Sequence, residues 1–63
     1  MLSGKLQTEL NKQMNNEFFA EYEYLSMAAY FHAMNLDGIA NYFHVQAQEE
    51  HFHAMKIFHF VLD

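Results

Sequence analysis

The stretch that decides the fold is Ala47-Gln48-Glu49-Glu50-His51-Phe52-His53-Ala54-Met55. Glu50 and His53 stand three residues apart, so on a helix a carboxylate and an imidazole project from one face toward the same point. That is a metal-ligand spacing. Upstream, a third donor, Glu17, sits among apolar residues on a second candidate helix, and the polar break Asn35-Leu36-Asp37-Gly38 can fold one helix back on the other. The expectation is an all-α antiparallel helical hairpin that carries half of a di-metal site.

Working outward, helix two runs from about residue 38 to 62. At about 100° per residue, its inward stripe is Ile39, Phe43, Gln46, Glu50, His53, Ile57 and Val61. The turn covers residues 35–38, where Asn, Asp and Gly tolerate tight backbone angles and Asp37 can cap the next helix. Helix one runs from about 4 to 34, with Ser3 as its N-cap and no internal Pro. Its stripe is Leu6, Leu10, Gln13, Glu17, Ala20, Tyr24, Met27, Ala28 and Phe31. Both stripes are apolar except near the middle. An unpaired charge there costs several kcal/mol or is neutralised by a pKa shift.

The two helices are expected to bring Glu17 level with Glu50 and His53. Glu17 lies 19 positions before Leu36, while Glu50 and His53 lie 14 and 17 after it. At about 1.5 Å rise per residue, the three groups converge across the hairpin.

More apolar surface remains than one hairpin can hide. Phe18, Tyr22, Leu25 and Ala29 on helix one, with Val45, Phe52, Met55, Phe58 and Leu62 on helix two, form a second stripe away from Glu17 and Glu50. Two interfaces follow: one closes a bundle around the polar cluster, and another joins bundles. His44, His51 and His59 line the outer side of helix two at spacings of seven and eight. Their axial separation is too great for one ion to be bound by all three, but neighbouring chains could assemble a surface metal site or a pH-sensitive contact from them.

Composition limits the function. The 63 residues form a single domain, with no Cys to staple a chain this short, so oligomerisation and metal are the expected remedies. Hydrophobic residues make up 52% of the chain, against a net charge of −5 and no Arg, which disfavours nucleic acid and anionic membrane partners. No apolar run approaches the ~20 residues of a membrane span, and no signal-peptide core follows Met1. A cytoplasmic protein is expected.

One chain offers Glu17, Glu50 and His53. A two-fold homodimer doubles this set to four Glu and two His, whose carboxylates balance two divalent ions. Such donors suit iron, with manganese or zinc as substitutes.

Beyond spacing, the sequence resembles the first two helices of a prokaryotic ferritin. The residues that carry the likeness are Lys5-Leu6, Leu10-Asn11-Lys12-Gln13, Asn16-Glu17-Phe18, Tyr22, Tyr24-Leu25, Met27-Ala28-Ala29-Tyr30-Phe31, Leu36-Asp37-Gly38, Ala40-Asn41-Tyr42, Gln46-Ala47-Gln48-Glu49-Glu50 and His53-Ala54-Met55. The resemblance implies a ferritin-like four-helix bundle in which a Glu from each of two helices joins Glu-x-x-His pairs from the other two. It makes Glu17 and His53 terminal iron ligands and Glu50 the bridging one. Tyr24 matches the tyrosine beside the site and is the catalytic candidate. Glu49 matches a carboxylate that serves an additional iron position in some members. Met14, Met27, Met34 and Met55 are read as packing rather than as haem ligands.

The likeness covers only the first half of a ferritin subunit, so the remaining ligands are expected from a second copy, as in the two-helix encapsulated ferritins. His32, His44, His51, His59, Glu21 and Glu23 depart from the family pattern, and an engineered or excised half-subunit is one reading of this. Glu21 is read as a solvated or partner-facing carboxylate. The expected function is di-iron binding with ferroxidase-type oxidation of Fe(II) by O2, and iron storage if a closed shell forms. The alternative is a self-assembling metal-binding scaffold without turnover.

Overall fold

A computed structural model describes residues 3–62. Its two helices are α1, Gly4–Ala33, and α2, Asp37–Leu62. They pack side by side as an antiparallel hairpin whose Cα atoms span 48 × 15 × 10 Å. Ser3 opens α1 as expected: its hydroxyl oxygen accepts the Leu6 N–H at 3.1 Å, satisfying one of the free donors of the first turn.

The reversal is made by Asn35 rather than by Gly38. Asn35 has φ 62°, in the left-handed region. The Leu36 N–H donates to the Phe31 carbonyl at 2.9 Å, and the Asn35 N–H to the His32 carbonyl at 3.0 Å. This double closure ends α1 by satisfying carbonyls that have no partner further along the helix. Gly38 lies inside α2, and Asp37 is the first helical residue rather than the cap, since the Ala40 N–H already donates to the Leu36 carbonyl at 2.9 Å. The Asp37 carboxylate there favours the positive end of the helix dipole.

Alanines form the seam between the helices. Ala40, Ala47 and Ala54 are the buried residues of α2, at 7%, 1% and 0% exposure, and they recur every seven positions. Phe43, Glu50 and Ile57 alternate with them; on α1, Leu10, Met14, Glu17, Glu21, Tyr24, Ala28 and Phe31 follow the same rhythm, all half-buried. This is the 3.5-residue seam of a coiled coil, in which a small side chain lets the backbones approach closely. Phe43 stacks on Phe31 with ring centroids 5.7 Å apart and on Tyr24 at 6.1 Å, filling the turn end.

The seam leaves both flat faces of the hairpin open. Leu6, Met27 and Ile39, expected on inward stripes, are 42–45% exposed. On the opposite side, Tyr22, Leu25, Val45 and Phe52 are exposed as well. No large side chain is fully buried among the described residues, so much of the apolar surface still lacks cover.

Candidate metal centre

Glu17 and Glu50 occupy seam positions on facing helices, and His53 stands one turn beyond Glu50. One ligand atom from each lies within 4.8 Å of the others. His53 Nδ1 is 3.8 Å from Glu17 Oε2 and 3.9 Å from Glu50 Oε2. The two carboxylates retain 17% and 22% side-chain exposure and the imidazole 53%. The cluster is therefore rooted in the seam and opens onto the face carrying Met27 and Ile39.

Electrostatics follow from that placement. Glu50 and Glu17 hydrogen-bond to one another, which holds the Glu17 carboxyl below its ordinary pKa and pushes Glu50 above its own. Partial burial raises both, while His53 pulls both down. Of the two, Glu50 is the carboxyl more readily protonated in the metal-free protein. A cation in the cluster would favour the ionised form of both carboxylates.

Gln13, which periodicity places only as a member of the inward stripe, takes part in the cluster. Its Nε2 donates to Glu17 Oε1 at 2.8 Å, fixing the carboxylate from one turn away. The signal was present in the four-residue spacing to Glu17. Such outer partners orient ligands and tune their basicity.

The other candidates are distributed around this cluster. Tyr24 lies one heptad from Glu17 on the same seam, its ring stacked on Phe43. Glu49 is exposed, outside the donor cluster, and contributes only a small upward push on Glu50. Glu21, read as solvated or partner-facing, is drawn to His51: His51 Nδ1 lies 3.0 Å from Glu21 Oε1, on the opposite edge of the seam. His44 shares a groove with this pair, His32 faces Asp37 at 3.5 Å, and the His59 ring meets Phe58 edge-on at 5.6 Å.

Residues 7–63 match the family model described as the ferritin-like domain. The chain belongs to the ferritin family. Over all 63 residues it is 48% identical to the bacterial non-heme ferritins of Staphylococcus epidermidis and Staphylococcus aureus. The match covers the whole chain and 38% of each relative, so the chain spans well under half the length of the curated ferritins it matches. No solved structure matches it at comparable significance. As a ferritin-family hairpin, it pairs its two helices so that the Glu-x-x-His of α2 meets Glu17 of α1. No helix is long and apolar enough to cross a membrane among the described residues.

Proposed function

We propose that this ferritin-family chain binds Fe(II) as substrate at a di-iron centre completed between two copies, and oxidises it with O2. The observation that carries the reading is the Glu17, Glu50 and His53 cluster, with donor atoms within 4.8 Å on an open face. Two carboxylates and one imidazole suit iron, manganese or zinc. Three protein donors leave exchangeable positions on an ion, which turnover requires.

Each residue has a distinct task. Glu17, held by Gln13, offers a fixed terminal oxygen. Glu50, whose pKa is raised by Glu17, is favoured in its ionised form once a cation is present and is free to bridge toward a second ion. His53, the most exposed of the three, closes the set from the solvent side. A second copy supplies the same three donors, and four carboxylates then balance two divalent ions. Two Fe(II) supply two electrons; with two protons these reduce O2 to hydrogen peroxide. Two Fe(II) supply both electrons of this balance, so Tyr24, about two turns along α1 with its ring on Phe43, is read as flanking the centre and supplies no electron in it. Iron storage belongs to this reading if the dimers also build a closed shell.

A metal-held scaffold without turnover is the second reading, favoured by the absence of any large fully buried side chain among the described residues. Anaerobic Fe(II) titration followed by exposure to O2, with absorbance and mass in solution recorded together, separates the two. Two irons per dimer and rapid oxygen-dependent colour support oxidation. Saturable binding that raises stability without oxidation supports the scaffold. No binding at that ratio overturns both.

A further inference from the structure

The opposite face of the hairpin holds a second set of metal donors. Glu21 and His51 meet across the seam with Nδ1 and Oε1 3.0 Å apart, closer than His53 comes to either carboxylate of the first cluster. For donors about 2.0–2.1 Å from a tetrahedral zinc ion, the edge between two ligand atoms is about 3.3 Å. The pair therefore needs to open by only a few tenths of an ångström to chelate. The side chains are also layered: Glu21 is 23% exposed and His51 is 53% exposed. The Phe18 ring meets the imidazole edge-on at 6.1 Å, so His51 is held from two sides. Together with Leu25, His44 and Gln48 the pair lines an open groove of about 370 Å³.

We propose that Glu21 and His51 form half of a second, mononuclear site for a divalent transition ion such as zinc, completed by the same pair from a second copy of this chain. Two donors fill half of a tetrahedral shell, and a two-fold axis at the groove fills the rest with two imidazoles and two carboxylates. Those two carboxylates neutralise one divalent ion, which a single pair does not. The surface around the donors fits a second copy: Tyr22, Leu25 and Phe52 are 68%, 42% and 60% exposed and need apolar cover. This interface lies on the face away from Glu17, Glu50 and His53, so the ion links one bundle to the next.

The test is zinc titration with mass measured in solution, on the unmutated chain and on the separate variants Glu21→Gln and His51→Asn. The unmutated chain is expected to take up one more zinc per two chains than either variant, and to grow in mass at that step. In the variants the affinity of this last ion falls at least tenfold and the growth disappears. Far-ultraviolet circular dichroism checks that the variants remain helical. Cobalt(II) in place of zinc reads the geometry in the unmutated chain, where intense tetrahedral bands are expected at the same step. Equal stoichiometry in all three proteins, uptake without growth in mass, or weak octahedral bands at every ratio would each overturn the proposal. The variants leave the Glu17, Glu50 and His53 donors in place, so failure here is distinguishable from failure of the di-iron reading.

Discussion

His53 Nδ1 lies 3.8 Å from Glu17 Oε2, although the two residues belong to different helices and are joined only through the turn at Asn35. On the proposed reading, their proximity ties metal binding to closure of the hairpin: an ion held by both could not stay bound when the helices part. His53→Ala is expected to leave the metal-free melting temperature nearly unchanged, because the imidazole is half exposed. It should abolish the rise in melting temperature that metal gives the unmutated protein. At a free-metal concentration a hundredfold above Kd that rise corresponds to about 2.7 kcal/mol. Thermal melts with and without zinc or anaerobic Fe(II) provide the check.

The opposed pKa shifts of Glu17 and Glu50 set a pH dependence with a definite sign. Glu50, raised by its hydrogen bond to Glu17, contributes stability that is fully present below the unfolded carboxylate pKa and is lost as pH rises through its folded value. Glu17, lowered by its hydrogen bond with Glu50, contributes stability present above the unfolded value and lost as pH falls through its folded value. The metal-free pair is therefore most favourable between the two folded values. Melting temperature should fall as Glu50 ionises, and Glu50→Gln should remove that fall. Metal affinity should rise over the same range, with proton release measurable by calorimetry in buffers of different ionisation enthalpy.

The meeting of Glu17, Glu50 and His53 was legible in the sequence because its geometry is local: Glu50 and His53 share a helical turn, and counting residues from Leu36 brings Glu17 level with them. The seam was not. Stripes drawn at 3.6 residues per turn drift by about 20° per heptad from a 3.5-residue repeat, and they favour bulky residues over small ones. Such stripes turn Ile39 and Met27 inward and pass over Ala47 and Ala54, which are the most buried positions of the described residues. The turn was placed within a residue or two, but its left-handed position is Asn35, whose side chain tolerates that conformation, and Gly38 is an ordinary helical residue. The Glu21 and His51 pairing depends on which side of the seam each residue leaves, which periodicity alone leaves open.

Ala54 is fully buried where α2 faces α1, close to the ligand cluster. Replacing it with Leu inserts a side chain that the seam has no room for, at a cost of about 1–3 kcal/mol. Because the added bulk pushes the helices apart beside Glu17 and His53, Ala54→Leu should also weaken metal binding without touching a ligand. Circular dichroism melts and a zinc titration on the same variant test both effects. Unchanged affinity would mean that the ligands move with their own helix and do not depend on the seam.

The Asn35 backbone, at φ 62°, isolates a conformational effect at the turn. A Cβ in the left-handed region costs about 1–2 kcal/mol for an ordinary residue. Asn offsets part of that cost and Gly avoids it. Asn35→Ala should lower the melting temperature, while Asn35→Gly should leave it equal or higher. Both should retain the affinity of the Glu17, Glu50 and His53 site, which lies far along the hairpin from the turn.

Met27 and Ile39 are 42% and 45% exposed on the face where the ligand cluster opens. If a second copy completes the centre, these side chains enter the dimer interface and lose their water. A charge at either position would then be buried without a partner, which costs several kcal/mol. Met27→Lys and Ile39→Lys should therefore convert the dimer to monomer and reduce iron uptake below two ions per pair of chains. Neither substitution removes a ligand. Sedimentation equilibrium beside an anaerobic Fe(II) titration reads both quantities. Monomers that still bound iron with undiminished stoichiometry and affinity would mean that each hairpin completes its own site, and the symmetric centre would have to be abandoned.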